Sequence, residues 1–274
     1  MSEPPKSALI VGAGAVQHAW SPVIRALQTE FDFPIDGDGA NSFFARLVYL
    51  LRWWYSTPDN ELTRTNQKLH LDYLNLLKSR ITQELLDAQS AGELAVRPQL
   101  YSVIDHFLIP DRNKNASFML VNTNWDTVAD EATRSHLIKT HNGEVYPLHI
   151  HGSVDDHRLI YLPSELTKEP YRTHDEDQLI GSIHGSIMRG LEDASRVVIY
   201  GLSLSPLDAE LLQTLAAGFS NDNLKEVHVV DPDHKLVAGR VRLLLDPSKT
   251  IRLIGHDIDD FSKETVYTRS EIAG

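Results

Sequence analysis

The chain has 274 residues, enough to bury a full core as one elaborated domain or two small ones. Its 26 basic against 38 acidic residues leave a formal charge of −12, which argues against a nucleic-acid backbone as main partner but leaves room for a small anion held by backbone N–H groups. Cysteine is absent, which excludes disulfides, Cys-ligated zinc and a thiol nucleophile together.

The opening segment lacks a basic-then-apolar leader, and no stretch approaches the ~20 apolar residues of a bilayer span. A cytoplasmic protein with no membrane association is expected. A strand over about 8–13 runs into Gly12-Ala13-Gly14, and a helix follows through Val23 to Leu27. Asp36-Gly37-Asp38-Gly39 reads as a loop or helix start; Ala40 sits where a calcium loop needs an oxygen ligand. From about 41 to 108 the apolar spacing turns helical, with Phe44, Leu47, Val48, Leu51 and Trp54, then Leu71, Leu74, Leu77 and Ile81. This predicts a helical insertion after the first βα unit, with Trp53, Trp54 and Tyr55 in its core. Strands are expected again at about 116–122, 145–150, 158–162, 196–201, 226–231 and 250–254, and helices at 177–193, 207–218 and 233–244. The pattern predicts an α/β chain, a Rossmann-like parallel sheet flanked by helices, forming a single domain over 1–274.

Several apolar runs end in glycine or a small polar residue, as strands do when their ends line one crevice. Gly12-Ala13-Gly14 suits a turn that brings backbone against a pyrophosphate, or simply a tight strand-to-helix turn; Gln17 stands where a dinucleotide fingerprint has its third glycine. Asn124 and Asp126 alternate at a strand end and should point into one cleft, although Asp126 also suits a helix cap. His149 and His151 alternate likewise and should face one side; Asp155, Asp156 and His157 read as a solvated hairpin turn rather than further metal ligands, and no metal is expected. His184-Gly185-Ser186 repeats the His-Gly pair on what reads as a helix surface. Gly201 with Ser203 suits phosphate or a loop before a helix, and Asp231 suits a ribose hydroxyl or a helix cap.

Taken in this order, Gly12-Ala13-Gly14, Asn124 with Asp126, His151-Gly152, Gly201 with Ser203, and Asp231 resemble the Sir2 (sirtuin-like) family, especially its bacterial zinc-less branch. The resemblance implies an NAD+ glycohydrolase that cleaves the nicotinamide–ribose bond as a regulated effector of antiphage defence. NAD+ is then the substrate, and the partners are a homo-oligomer or a regulatory protein. It implies that Asn124 holds the ribose and the attacking water and that His151 is the general base. Asp126 would meet the nicotinamide amide, Gly201 and Ser203 the phosphate, and Asp231 the adenosine ribose. The chain departs from the family at Val16, at Trp20, which is expected to crowd the nucleotide loop, and at Asn122. The absence of cysteine removes the zinc module of protein deacylases. The alternatives are a non-catalytic NAD or ADP-ribose sensor and an assembly subunit; a hydride-transferring oxidoreductase has no use for the Asn124 and His151 pairing.

Overall fold

The computed structural model describes residues 6–31, 36–109, 118–141, 143 and 145–268. The apolar run β1 (Ser7–Val11) is buried along its whole length, as a central parallel strand covered on both faces must be. It pairs in parallel with β4 (Phe118–Asn122) on one side and β6 (Arg196–Tyr200) on the other. The short β5 (Pro147–His149) lies outside β4. Beyond β6 follow β7 (Glu226–Val230), β8 (Arg252–His256) and an antiparallel edge strand, β9 (Glu264–Val266). The sheet order is thus β5-β4-β1-β6-β7-β8-β9. After β5 the chain crosses back over β1 to begin β6, so the C-terminal ends of β1, β4 and β6 diverge around the crevice expected at such a switch point. The fold is α/β, with a Rossmann-like sheet flanked by helices.

Helices α1 (Ser21–Phe31), α5 (Val128–His141), α6 (His174–Glu192), α7 (Ala209–Phe219) and α8 (His234–Arg242) follow the strands, and those expected from periodicity lie within a few residues of their predicted ranges. The helical excursion consists of α2 (Gly37–Ser56), α3 (Glu61–Ser90) and α4 (Gln99–Val103), which continues into a π-helical turn, Ile104–Leu108. It starts earlier than the sequence pattern suggested because Asp36 caps α2, accepting from Gly39 N–H at 2.6 Å. A two-stranded antiparallel ladder closes its base: β2 (Val16–Gln17) pairs with β3 (Ala95–Val96). Phe44, Leu51, Leu77 and Ile81 from the insertion share one apolar cluster with Leu9 and Val11 of the sheet.

Four expectations are corrected. The segment 158–162 is no strand: it forms a 3-10 turn (His157–Leu159) and an irregular run whose amides find scattered partners instead of a ladder, Tyr161 N–H donating to His151 O at 2.8 Å and Leu162 N–H to the Glu165 carboxylate at 2.6 Å. Asp155–His157 therefore leads into that turn, with Asp156 as its cap, and not into a hairpin. Trp53 is 55% exposed, because the apolar face of α2 is set by Phe44, Val48 and Leu51 rather than by the tryptophan pair. His184 is buried, with Nδ1 on Thr214 Oγ1 at 2.8 Å, and α7 covers the face of α6 that had looked like free surface.

A buried ion cluster fastens the insertion to that irregular run. Lys78 of α3 meets Glu165 at 3.3 Å with both side chains excluded from water, and Glu165 also accepts from Tyr171 Oη at 3.0 Å. Arg52 of α2 pairs with the buried Glu169. Burial lowers the Lys78 ammonium pKa, with Glu165 opposing the shift. Replacing Lys78 strands a buried carboxylate, so Lys78→Met is expected to cost about 3–5 kcal/mol in urea unfolding, and Lys78→Met with Glu165→Gln to recover much of it. Equal losses in the single and double variants would show that the pairing is not what holds the run.

Candidate functional site

At the diverging strand ends lies a cleft of about 780 Å³. Of the residues singled out from sequence, Ala13, Gly14, Asn124 and Asp126 line it, together with His151, Gly201, Ser203 and Asp231. Gly12 sits just behind, where an added Cβ would lie 2.6 Å from Gly201 O.

That contact revises the glycine turn's part. Gly12 N–H is committed to Tyr200 O at 3.0 Å and Gly14 N–H to Gly201 O at 2.8 Å, so neither is free to cradle a phosphate. The glycines serve instead to let two turns touch: a Cβ on Gly14 would approach Gly201 Cα at 2.8 Å, and Gly201 itself adopts φ +61°. The positive charge comes from elsewhere. Arg97, returning from the insertion just after β3, donates its Nε–H to Gly14 O at 2.9 Å and its backbone N–H to Ala15 O at 2.9 Å. It is the one Arg or Lys lining the cleft, and no hydrogen bond engages its two terminal NH₂ groups among the described residues.

The segment after β4 is fixed by a buried relay. Asp130 on α5 accepts from Asn122 Nδ2 at 2.9 Å and from His149 Nε2 at 2.6 Å. Asn122 Oδ1 accepts from Asn124 N–H at 2.9 Å, and His149 Nδ1 donates to Asn124 O at 3.0 Å. Because both ring nitrogens of His149 face acceptors, the ring is an imidazolium; burial lowers its pKa, but the Asp130 bond and charge leave it raised overall. His149 is therefore a clamp and does not share the cleft with His151. Asn122 is the joint of this relay. Asn124 Nδ2 donates to Gly12 O at 3.2 Å, which leaves its Oδ1 without a protein partner among the described residues.

His151 Nδ1 lies 3.1 Å from Thr123 O. A carbonyl only accepts, so Nδ1 carries the proton, and in the neutral form of the ring the lone pair falls on Nε2. The ring stacks on Tyr161 at 5.8 Å between centroids and 9° between planes. Gly152 follows with φ +70°, where an added Cβ would strike Leu159 O at 2.0 Å. Asp208, absent from the sequence reading, lines the same cleft beside α7 without capping that helix; burial raises its pKa, and His151 opposes this. Trp20 forms part of the wall, edge-on to Trp125 at 6.5 Å, and leaves the cleft open.

Asp126 is 2% exposed and its Oδ1 accepts from Val128 N–H at 3.1 Å, so it is helix-proximal ligand and cleft wall at once. Burial pushes its pKa up to about 6, with the Asp130 charge adding to the shift and the Val128 bond opposing it. No family model matches this chain, and no curated protein does.

A carboxyl whose folded pKa exceeds its unfolded value penalises the folded state once pH rises through that interval. Asp126→Asn keeps the Val128 acceptor and removes the charge. It is expected to raise the melting temperature at pH 7.5, with the gain shrinking to nothing by pH 4. A gain that persists unchanged at pH 4 would contradict the assignment of a buried, titrating Asp126.

Proposed function

We propose that the cleft binds NAD+ and hydrolyses its nicotinamide–ribose bond. The observation that carries this reading is the pairing of Asn124, whose amide oxygen has no protein partner among the described residues, and His151, whose Nδ1 is bonded to Thr123 O, both held by the strand-end segment 122–124 in a dinucleotide-sized hollow. The nicotinamide of NAD+ leaves as a neutral pyridine, so the departing group needs no proton. What the site must supply is a held water and a base near neutral pKa. As the C1′–N bond breaks, electrons pass to the pyridinium nitrogen and the ribose becomes an oxocarbenium. Water adds to C1′, and His151 Nε2 takes its proton, giving nicotinamide, ADP-ribose and H+. Such base assistance is worth ~10²–10⁴-fold.

In this reading Asp126, which titrates near pH 6, meets the nicotinamide carboxamide. Asp231 meets the adenosine ribose, and Ser203 with Gly201 lies along the phosphates. Arg97 replaces the committed glycine amides as the diphosphate's cation. Among the described residues no helix is long and apolar enough to cross a membrane. An enzyme that consumed NAD+ without restraint would harm its host, so repression by self-assembly or by a protein partner belongs to the proposal. Leu62, Leu69 and Leu76, exposed at heptad spacing along α3, support that part.

His151→Ala is expected to lower nicotinamide release by at least ~10²-fold with the circular dichroism spectrum unchanged. Asn124→Ala should lose kcat more than affinity. Arg97→Met should raise KM for NAD+ and weaken ADP-ribose binding while kcat holds. Chromatographic detection of nicotinamide, with calorimetry for ADP-ribose, checks all three. Tight ADP-ribose binding with no nicotinamide release under any condition would make the cleft a sensor instead.

A further inference from the structure

A second polar cluster lies away from the cleft, where the end of the insertion meets α5. Asp105 sits in the π-helical turn, and its Oδ1 lies 2.7 Å from His136 Nε2 and 2.9 Å from His141 Nε2. These three atoms all fall within 4.8 Å of one another. We infer that Asp105, His136 and His141 form a binding site for a divalent transition ion of the zinc type.

The donor set decides the class of ion. Two imidazole nitrogens and one carboxylate oxygen suit zinc and its neighbours, whereas calcium and magnesium require oxygen cages. Bonds of about 2.0–2.1 Å in a tetrahedron place ligand atoms roughly 3.3 Å apart. The two carboxylate–imidazole pairs, at 2.7 and 2.9 Å, therefore need to open by only about half an ångström each, and the two imidazole nitrogens already lie within 4.8 Å of each other. The two rings are held with 13% and 2% of their side chains exposed, while Asp105 at 34% gives solvent a way in. As a mere tether the arrangement is wasteful. One histidine would join the two helices, yet His141 is also buried, with Nδ1 lacking a partner among the described residues.

Both Nε2–H groups now donate to the carboxylate, so an entering ion displaces them: a neutral ring shifts its proton from Nε2 to Nδ1, and a doubly protonated ring releases the Nε2 proton to solvent and keeps the one on Nδ1. Acid accordingly competes with the metal. Three protein ligands leave the fourth position to water. An ion held here braces the last turn of the insertion against α5, the helix that begins directly after Asn124 and Asp126. Sequence reading assigned no metal because the ligands are dispersed, and 136 and 141 lack the i, i+4 spacing by which helical His pairs are recognised.

Calorimetric titration of the full, chelator-treated chain with zinc sulfate at pH 7.5 is expected to show one equivalent, lost at pH 5. Asp105→Asn and His136→Gln should each abolish it with the circular dichroism spectrum unchanged. Cobalt should give the intense visible bands of tetrahedral coordination. Retention of the same equivalent in both variants, or no stoichiometric binding by the wild type, overturns the inference. If a variant fails to fold, the wild-type cobalt spectrum decides: tetrahedral bands support the site, and an octahedral, aqua-like spectrum refutes it. Nicotinamide release plays no part in this readout.

Discussion

One buried carboxylate sets the geometry on which the candidate site depends. Asp130 takes a hydrogen bond from the strand-end amide Asn122 and another from the imidazolium His149, and these two then hold the backbone of Asn124 from both sides. A buried anion is expensive unless paired, and the relay satisfies it with one cation and one amide. The conformation of segment 122–124 is over-determined in consequence. His151 docks on the carbonyl of Thr123 in the middle of that same segment. Amide and imidazole are thus registered to one rigid stretch of backbone, not to two independent loops, which is the preorganisation that a hydrolytic site requires.

The cleft is acidic for a pocket assigned to an anionic ligand. Among the described residues, Asp36, Asp126, Asp208 and Asp231 line it against one arginine. Burial raises the pKa of Asp126, Asp208 and Asp231 alike, and each carboxyl offers oxygens that can accept from hydroxyl and amide groups. The charge arithmetic therefore falls on Arg97, whose position is fixed by its bonds to the glycine turn.

Much of this was legible in the residues. Runs such as 118–122 and 226–230 announce buried parallel strands, and a small or polar residue at each end marks the crevice, so Asn124, Asp126, His151, Gly201, Ser203 and Asp231 were found by position alone. What escaped was set by contacts distant in sequence. Arg97 looks like any arginine before a proline until β2 and β3 pair. Asp208 looks like a cap until the helix is seen not to use it. Tyr161 lies in a run that reads as a strand but is held by Glu165. His149 resembled a partner of His151, since alternation fixes a face but not the acceptor that each ring finds. The glycines were located correctly and their amides misassigned, because hydrogen-bond ownership is a tertiary property.

The ladder at the base of the insertion has a wider consequence. The chain leaves the central domain at Gln17 and re-enters beside it at Ala95, as neighbours on paired strands. Whatever is threaded between those points begins and finishes at the same spot, like a cartridge on a clip. The entropy of closing such an excursion grows only with the logarithm of its length, so the connections between its helices can be lengthened at little entropic cost, while the helix faces packed on the sheet stay constrained by the core they share. The clip also carries the arginine. A change confined to the outward face of the excursion would thus leave the cation at the glycine turn in place, whereas a change on its inner face, which carries Trp20, Asp36 and Leu85, would alter the crevice itself.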